Sequence, residues 1–302
     1  MARPRGRCYL VRVMLEPPMP KKRVLLILDN PDVASSLRAA LASDRYDLEV
    51  AASAAGVVRR LLHGSWDVLV TNPSSSIAED IELVRYLQRV QPGIKAIILA
   101  PETAPEEVIL ALRTHAFACY REPFDVGEIA QMVRRAAAED SWRDGISVVS
   151  GHPNWISLRV TPRRLTAQRV VAFVKAMLHE SAEGERDSLA TAFGEILQNA
   201  VEHGAGFDPE KVVEVSAIRT AKALVFHFRD PGPGFDMDDL PHAAVSNPPD
   251  DPIAHVDVRS ARGMRPGGFG ILMAKKLVDE LQYNEAGNEV ILIRHLRPVP
   301  RR

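Results

Sequence analysis

Between Lys22 and about residue 140 the chain alternates five times between short β-branched runs and amphipathic stretches, and few folds accept that rhythm. The runs are "RVLLIL", "LEVA", "DVLV", "KAIILA" and "ACYREPF". Between and after them come a stretch with Val33, Leu37 and Leu41 at helical spacing, another through Val57 to Leu62, and then "IELVRYLQRV", "PEEVILALRT" and "VGEIAQMVRRAAA". Strands that are apolar throughout are buried on both faces, and their alternation with helices makes parallel pairing the expected outcome. Residues 22–140 therefore read as an α/β domain with a doubly wound, flavodoxin-like parallel sheet.

A chain of 302 residues has room for a second core. At "AEDSWRDGISVVSGHPNW" polar and glycine content rises and no helical period carries through, so residues 141–153 read as a linker. Beyond it come a strand "ISLRV", a helix over Ala167 to Glu180, a helix carrying Glu195 and Asn199, and strands "VVEVSAI" and "ALVFHFRD". A long irregular stretch, a helix from about Gly270 to Leu281 and a last strand "EVILIRHL" complete residues 154–298. The expectation is an α/β sandwich, helices laid on one face of a mixed sheet.

Composition narrows the function classes. Apolar content of 46%, charged content of 25% and a net charge of −1 provide no basic field for nucleic acid. Cys8 and Cys119 stand in unrelated surroundings without metal-ligand spacing, and a reducing cytoplasm is the expected location. Residues 1–21 are basic and proline-punctuated, and read as a flexible tail in which Met14 and Met19 are alternative starts. Within it "CYLVRVML" is broken by Arg12 and too short to span a bilayer, so no membrane association is expected.

Three segments of the C-terminal half carry chemistry. In "FGEILQNAVEHG" the residues Phe193, Ile196, Leu197 and Ala200 form one apolar stripe, which turns Glu195, Asn199 and Glu202 to the other side. Glu195 and Asn199 are four apart and address the same object. An amide oxygen suits a hard cation such as Mg²⁺ that takes its other ligands from phosphate and water, so Asn199 is the candidate metal ligand. Glu195, one turn earlier, is placed to take a proton from an attacking hydroxyl. His203 is either a phosphate contact or a histidine favoured by the negative end of the helix dipole. A polar helix face alone would merely be solvated; two glycine-rich segments downstream give it weight.

Asp230 ends an apolar strand and opens "DPGPGF". A carboxylate there can accept the exocyclic amino hydrogen of adenine, while Gly232 and Gly234 let backbone approach the ring. "PGGFG" then feeds a helix, and Gly268 and Gly270 offer N–H groups at a positive dipole end, a seat for phosphate. No GxxxxGK[ST] sequence occurs, which excludes a P-loop. Residues 236–266 are acidic, proline-rich and carry Arg259, Arg262 and Arg265, and read as a lid in which each of these arginines, Arg265 among them, either pairs with a triphosphate or belongs to a plain solvated loop.

In this order the three segments resemble the N-box and the two glycine boxes of the GHKL ATPase superfamily. "NAVEHG" and "GILMAKKLVDEL…NEAGNEVILIRHL" look like its anti-sigma-factor serine kinase branch. The resemblance covers about the last 150 residues. It implies a Bergerat-type sandwich, ATP and Mg²⁺ as ligands, Glu195 as general base, a homodimeric tendency, and a protein partner of the anti-anti-sigma or sigma-factor type. Asn288 stands where many relatives carry threonine near the adenine.

Residues 22–140 resemble response-regulator receiver domains in "RVLLILDNPDV" and "REPF". The chemistry is missing: Asn72 stands at the phosphoacceptor position, Leu28 and Asp29 at the acidic pair, Ala100 at the hydroxyl position and Glu122 at the lysine. An amide cannot form the acyl phosphate. The resemblance therefore implies a pseudo-receiver for dimerisation or docking. Three functions stay open: a serine/threonine kinase acting on a partner, a nucleotide-gated binding switch, and an atypical histidine kinase using His179.

Overall fold

The computed structural model describes residues 21–43, 45–53, 64–71, 77–139, 144–178, 181–236, 240, 243–248, 250–261, 263 and 268–296. The tail over 1–20, the expected helix through Val57 to Leu62, Asn72, His179, Arg262 and Arg265 lie outside them.

The N-terminal domain holds β1 (Lys22–Ile27), α1 (Pro31–Leu41), β2 (Tyr46–Ala51), β3 (Val68–Thr71), α2 (Ile77–Val90), β4 (Lys95–Ala100), α3 (Pro105–Arg113), β5 (Ala118–Arg121) and α4 (Val126–Ala138). Its strands pair in parallel in the order β2-β1-β3-β4-β5. This is the flavodoxin-like doubly wound order. β3 and β4 are buried along their whole length, as continuous apolar runs require. Helix starts are written locally: the Asn30 side chain accepts from the N–H groups of Asp32 and Val33 with Pro31 next, and Asp125 accepts from Glu128 N–H at 3.0 Å.

The C-terminal domain holds β6 (Ile146–His152), β7 (Trp155–Val160), α5 (Arg164–Met177), α6 (Glu183–Asn199), a π-turn (Ala200–Gly204), β8 (Val213–Arg219), β9 (Ala223–Arg229), α7 (Ala254–Ala261), α8 (Gly270–Leu277), β10 (Glu280–Tyr283) and β11 (Glu289–His295). The six strands run β10-β11-β9-β8-β7-β6. Every pairing is antiparallel, so the sheet is not the mixed one expected. Alternation supplies its inner face: Ile156, Leu158, Val160, Val213, Val215, Leu224, Phe226 and Phe228 are buried. Phe193 of α6 lies 5.3 Å from Phe226 and 4.8 Å from Phe228 between ring centroids, pinning the helix to that face.

Three local expectations change. Residues Ile146–His152, read as part of the linker, form β6 against β7. The helix expected to run from Gly270 to Leu281 ends at Leu277, because Glu280–Tyr283 pair with Val290–Ile293. The stretch expected to be irregular contains α7.

The two domains share a packed seam. One cluster of buried residues runs without interruption from Ile98, Val108 and Leu112 into Phe173, Leu189 and Phe226. Arg169 of α5, 1% exposed, crosses the seam: Nε donates to the Phe117 carbonyl at 2.7 Å, Nη2 to the Ala116 carbonyl at 3.1 Å and to Asp144 Oδ1 at 2.6 Å. Thr103 Oγ1 donates to the Ala176 carbonyl at 2.6 Å.

Candidate functional site

Burial of Phe193, Ile196, Leu197 and Ala200 turns Glu195 and Asn199 onto the wall of a cavity of about 480 Å³. Glu202 is directed elsewhere, accepting from Gln198 Nε2 at 3.3 Å and lying 3.8 Å from Arg164. Past Asn199 the helix widens into the π-turn, which brings His203 and Gly204 to the same wall. Such widenings recur at functional sites.

Gly204 is where this helix meets Asp230. A β-carbon at 204 would stand 2.1 Å from Cγ of Asp230, and one at Gly232 would stand 2.6 Å from the Gly204 carbonyl oxygen. Only residues without side chains allow that approach. The Gly232 N–H donates to Asp230 Oδ1 at 2.8 Å, and the Asp230 N–H donates to the Asn288 carbonyl at 3.0 Å. Burial raises the Asp230 carboxyl above the usual carboxylate range, opposed by the Gly232 N–H. Tyr283, on the same wall, has its phenol pushed well above its ordinary value by burial and by the charge of Asp230.

The first glycine segment is locked to the turn before β11. Gly234 has φ +79° and Gly287 φ +75°. A β-carbon on either would collide with backbone, at 1.7 Å from the Ala286 oxygen and 2.0 Å from the Phe235 oxygen respectively. The Phe235 N–H donates to the Ala286 carbonyl at 3.1 Å, and its ring meets Tyr283 edge-on at 5.2 Å.

The second glycine segment closes on the other end of the cavity wall. A β-carbon at Gly270 would lie 2.6 Å from Glu195 Oε2 and 3.6 Å from Asn199 Nδ2, so α8 begins against the polar pair. No side chain caps that helix at Phe269, which leaves its first N–H groups facing outward from the helix end. Gly268, at φ +96°, accepts from the Ala244 N–H at 2.8 Å. Arg259 of α7 also lines the cavity.

Nine predicted residues thus line one cavity: Glu195, Asn199, His203, Asp230, Gly234, Arg259, Gly268, Gly270 and Asn288. Gly232 stands behind the wall on Asp230. Asn288 has its amide engaged by protein, its Oδ1 accepting from Asn284 at 2.9 Å and its Nδ2 donating to the Gly232 carbonyl at 3.4 Å. It braces the Asp230 loop. Gly204, Phe235, Tyr283 and Gly287 escaped the sequence reading, since a glycine after a helix reads as a cap until its contact partner is known.

The donor set fits a nucleotide with a metal. Glu195 stands nine residues and Asn199 five residues before Gly204, the position that meets Asp230, so the polar pair and the carboxylate occupy different parts of one wall, which suits a molecule with a ring at one end and charge at the other. Among the described residues no group of three or more His, Cys, Asp or Glu could hold a metal ion. A cation beside Asn199 would draw its remaining ligands from phosphate and water. In the N-terminal domain Asp29, Ala100 and Glu122 lie at the C-terminal ends of β1, β4 and β5, one edge of the parallel sheet. No helix among the described residues is long and apolar enough to cross a membrane.

Residues 158–294 match the family described as histidine kinase-like ATPase domain. The transcriptional regulatory protein GlrR of Escherichia coli K12 is 26% identical over 155 residues, which are 49% of this chain and 34% of that protein. The DNA-binding transcriptional regulator NtrC of Bradyrhizobium sp. strain RP501 Parasponia is 23% identical over 125 residues, 41% of this chain and 26% of that one. The chain therefore spans about a third or less of the length of these relatives. A response regulator receiver domain protein (CheY-like) from Methanospirillum hungatei JF-1 aligns with TM-score 0.36 at 19% identity, covering 39% of this chain and 94% of its own. A response regulator from Thermotoga maritima aligns with TM-score 0.37 at 15% identity, covering 40% of this chain and all of its own. A parallel α/β domain of flavodoxin-like strand order thus precedes a segment that matches the histidine kinase-like ATPase domain family.

Proposed function

We propose that the C-terminal domain binds ATP with Mg²⁺ and phosphorylates serine or threonine of a partner protein, a regulator of the anti-anti-sigma or sigma-factor type. The observation that supports this best is the joint presence of Glu195, Asn199 and Asp230 on one cavity whose closest backbone approaches are all made at glycine. When bound, magnesium ATP supplies the phosphoryl group and the cation that neutralises its charge. Asn199 would hold the cation through its amide oxygen. Asp230 would accept the exocyclic amino hydrogen of the purine. Glu195 would take the proton of the attacking hydroxyl, while the N–H groups at the start of α8 and Arg259 meet the phosphate charge. The receiver-like domain serves for docking or dimerisation rather than phosphorelay, because Asp29 alone remains of the acidic residues that phosphorelay needs.

The test is a pull-down with ATP and Mg²⁺ followed by phosphosite mapping on the captured protein. Glu195→Gln is expected to abolish labelling of the partner, a loss of about 10²-fold or more, while the Kd for nucleotide in calorimetry stays within a few fold. Absence of transfer in the unmodified protein with its partner present would replace the kinase by a nucleotide-gated switch. Phosphohistidine in the chain itself would point to histidine kinase chemistry.

A further inference from the structure

Two arginines on the C-terminal helices are almost fully buried at the seam, and only one of them is satisfied by the described residues. Arg169 has the bonds already described. Arg186, in the first two turns of α6, is 5% exposed and has no side-chain hydrogen bond or ion pair with any described residue. A buried guanidinium without a partner is costly enough that proteins rarely retain one idle. Its neighbour Asp187 is taken by Lys175 at 3.0 Å, and Lys175 also holds Glu128 at 3.0 Å across the seam.

Arg186 faces a second cavity, of about 320 Å³, that lies between the domains and is separate from the nucleotide wall. The N-terminal domain contributes the end of β5 and the start of α4; the C-terminal domain contributes one face of α5 and the first turns of α6. The buried lining consists of Arg186, Tyr120, Cys119, Ala172 and Ala176. It contains no carboxylate. Asp125, Glu183 and Asp187 also border the cavity but are exposed to water, where their charge is screened, and the half-buried Glu128 borders it with its charge matched by Lys175, a further lining residue, at 3.0 Å. Tyr120, 6% exposed, has a buried hydroxyl with no hydrogen-bond partner among the described residues. The buried end therefore carries one unmatched cation and one unmatched donor, in a volume at the small end of ligand pockets.

We propose that this seam cavity binds a small oxyanion, the carboxylate or phosphate group of a metabolite-sized molecule, with Arg186 as its ion partner and the Tyr120 hydroxyl as a second donor. The two groups that recognise it come from different domains, so the site exists only in the assembled chain. On α6, Arg186 stands about two and a half turns before Glu195.

Full-length protein titrated with inorganic phosphate, succinate or, as a cation control, choline chloride tests this by thermal unfolding and calorimetry. Phosphate or succinate is expected to raise the midpoint of the unmodified protein, and choline is not. Tyr120→Phe should weaken the effect and Arg186→Met should lower the affinity roughly tenfold or more. Arg186→Met should still bind magnesium ATP and be at least as stable as the parent without ligand, because it removes an unmatched buried charge. A shift with only one of the two anions assigns the headgroup. Equal shifts in parent and Arg186→Met would trace the anion to another site and overturn the proposal. So would no shift with either anion, or an Arg186→Met protein that is less stable without ligand, which would reveal an internal ion pair such as one with Glu183.

Discussion

In the proposed nucleotide site Asp230 is under two opposed demands. To accept an N–H from a purine it must be ionised, yet its surroundings favour the neutral acid and raise its pKa. For a carboxyl raised by folding, the associated stability belongs to the protonated form: it is complete below the unfolded pKa and is lost as pH rises through the folded one. At neutral pH the empty domain therefore carries a destabilising charge. Asp230→Asn is expected to match or exceed the parent in denaturant unfolding at pH 7, with the difference vanishing towards pH 3. In calorimetry the same substitution should weaken nucleotide binding by about 1.5–3 kcal/mol, roughly 10- to 150-fold in Kd. Gly204 explains how the carboxylate comes to be there at all. Its missing side chain is what admits Asp230 to the helix end.

Among the elements, those defined by burial on both faces or by local caps were legible from residue order alone. β1, β4, α1 and α4 are of this kind, and so is the stripe that turns Glu195 and Asn199 into the cavity. Elements defined by a distant partner were not. "ILMAKKLVDEL" keeps a helical period to its end, but pairing with β11 and the bond from the His295 N–H to Asp279 Oδ2 at 2.7 Å convert its tail to strand. β6 carries polar and glycine residues that match a linker, and only its edge position beside β7 makes them a strand. The stretch before α8 has no readable period because α7 is held by single side chains. Asn247 Oδ1 accepts from the His255 N–H at 2.9 Å and its Nδ2 donates to the Pro252 carbonyl and to His255 Nδ1, while the His255 ring meets Phe269 edge-on at 4.5 Å. Asn247→Ala is expected to cost this helix about 1 kcal/mol, seen as roughly fivefold faster amide exchange over 254–261 with β8 and β9 unchanged.

At the scale of the whole molecule the seam is a core rather than a hinge. Arg169 is buried and pairs with Asp144, which is partly exposed and also held by His115 at 2.7 Å, so removing the guanidinium strands chiefly the Phe117 and Ala116 carbonyls. Burial lowers the Arg169 pKa and Asp144 opposes that shift. Arg169→Met is expected to destabilise the chain by about 3–5 kcal/mol and to split a single calorimetric unfolding transition into two. α5 is the reason. It packs on β5 of one domain and on α6 of the other, with residues of both faces buried. A helix that belongs to two interiors cannot be cut out with either, so this C-terminal domain is not a cassette that recombination can hand to a different head. Whatever domain replaced the N-terminal one would have to bring its own apolar socket for α5, which ties the inheritance of the two halves together.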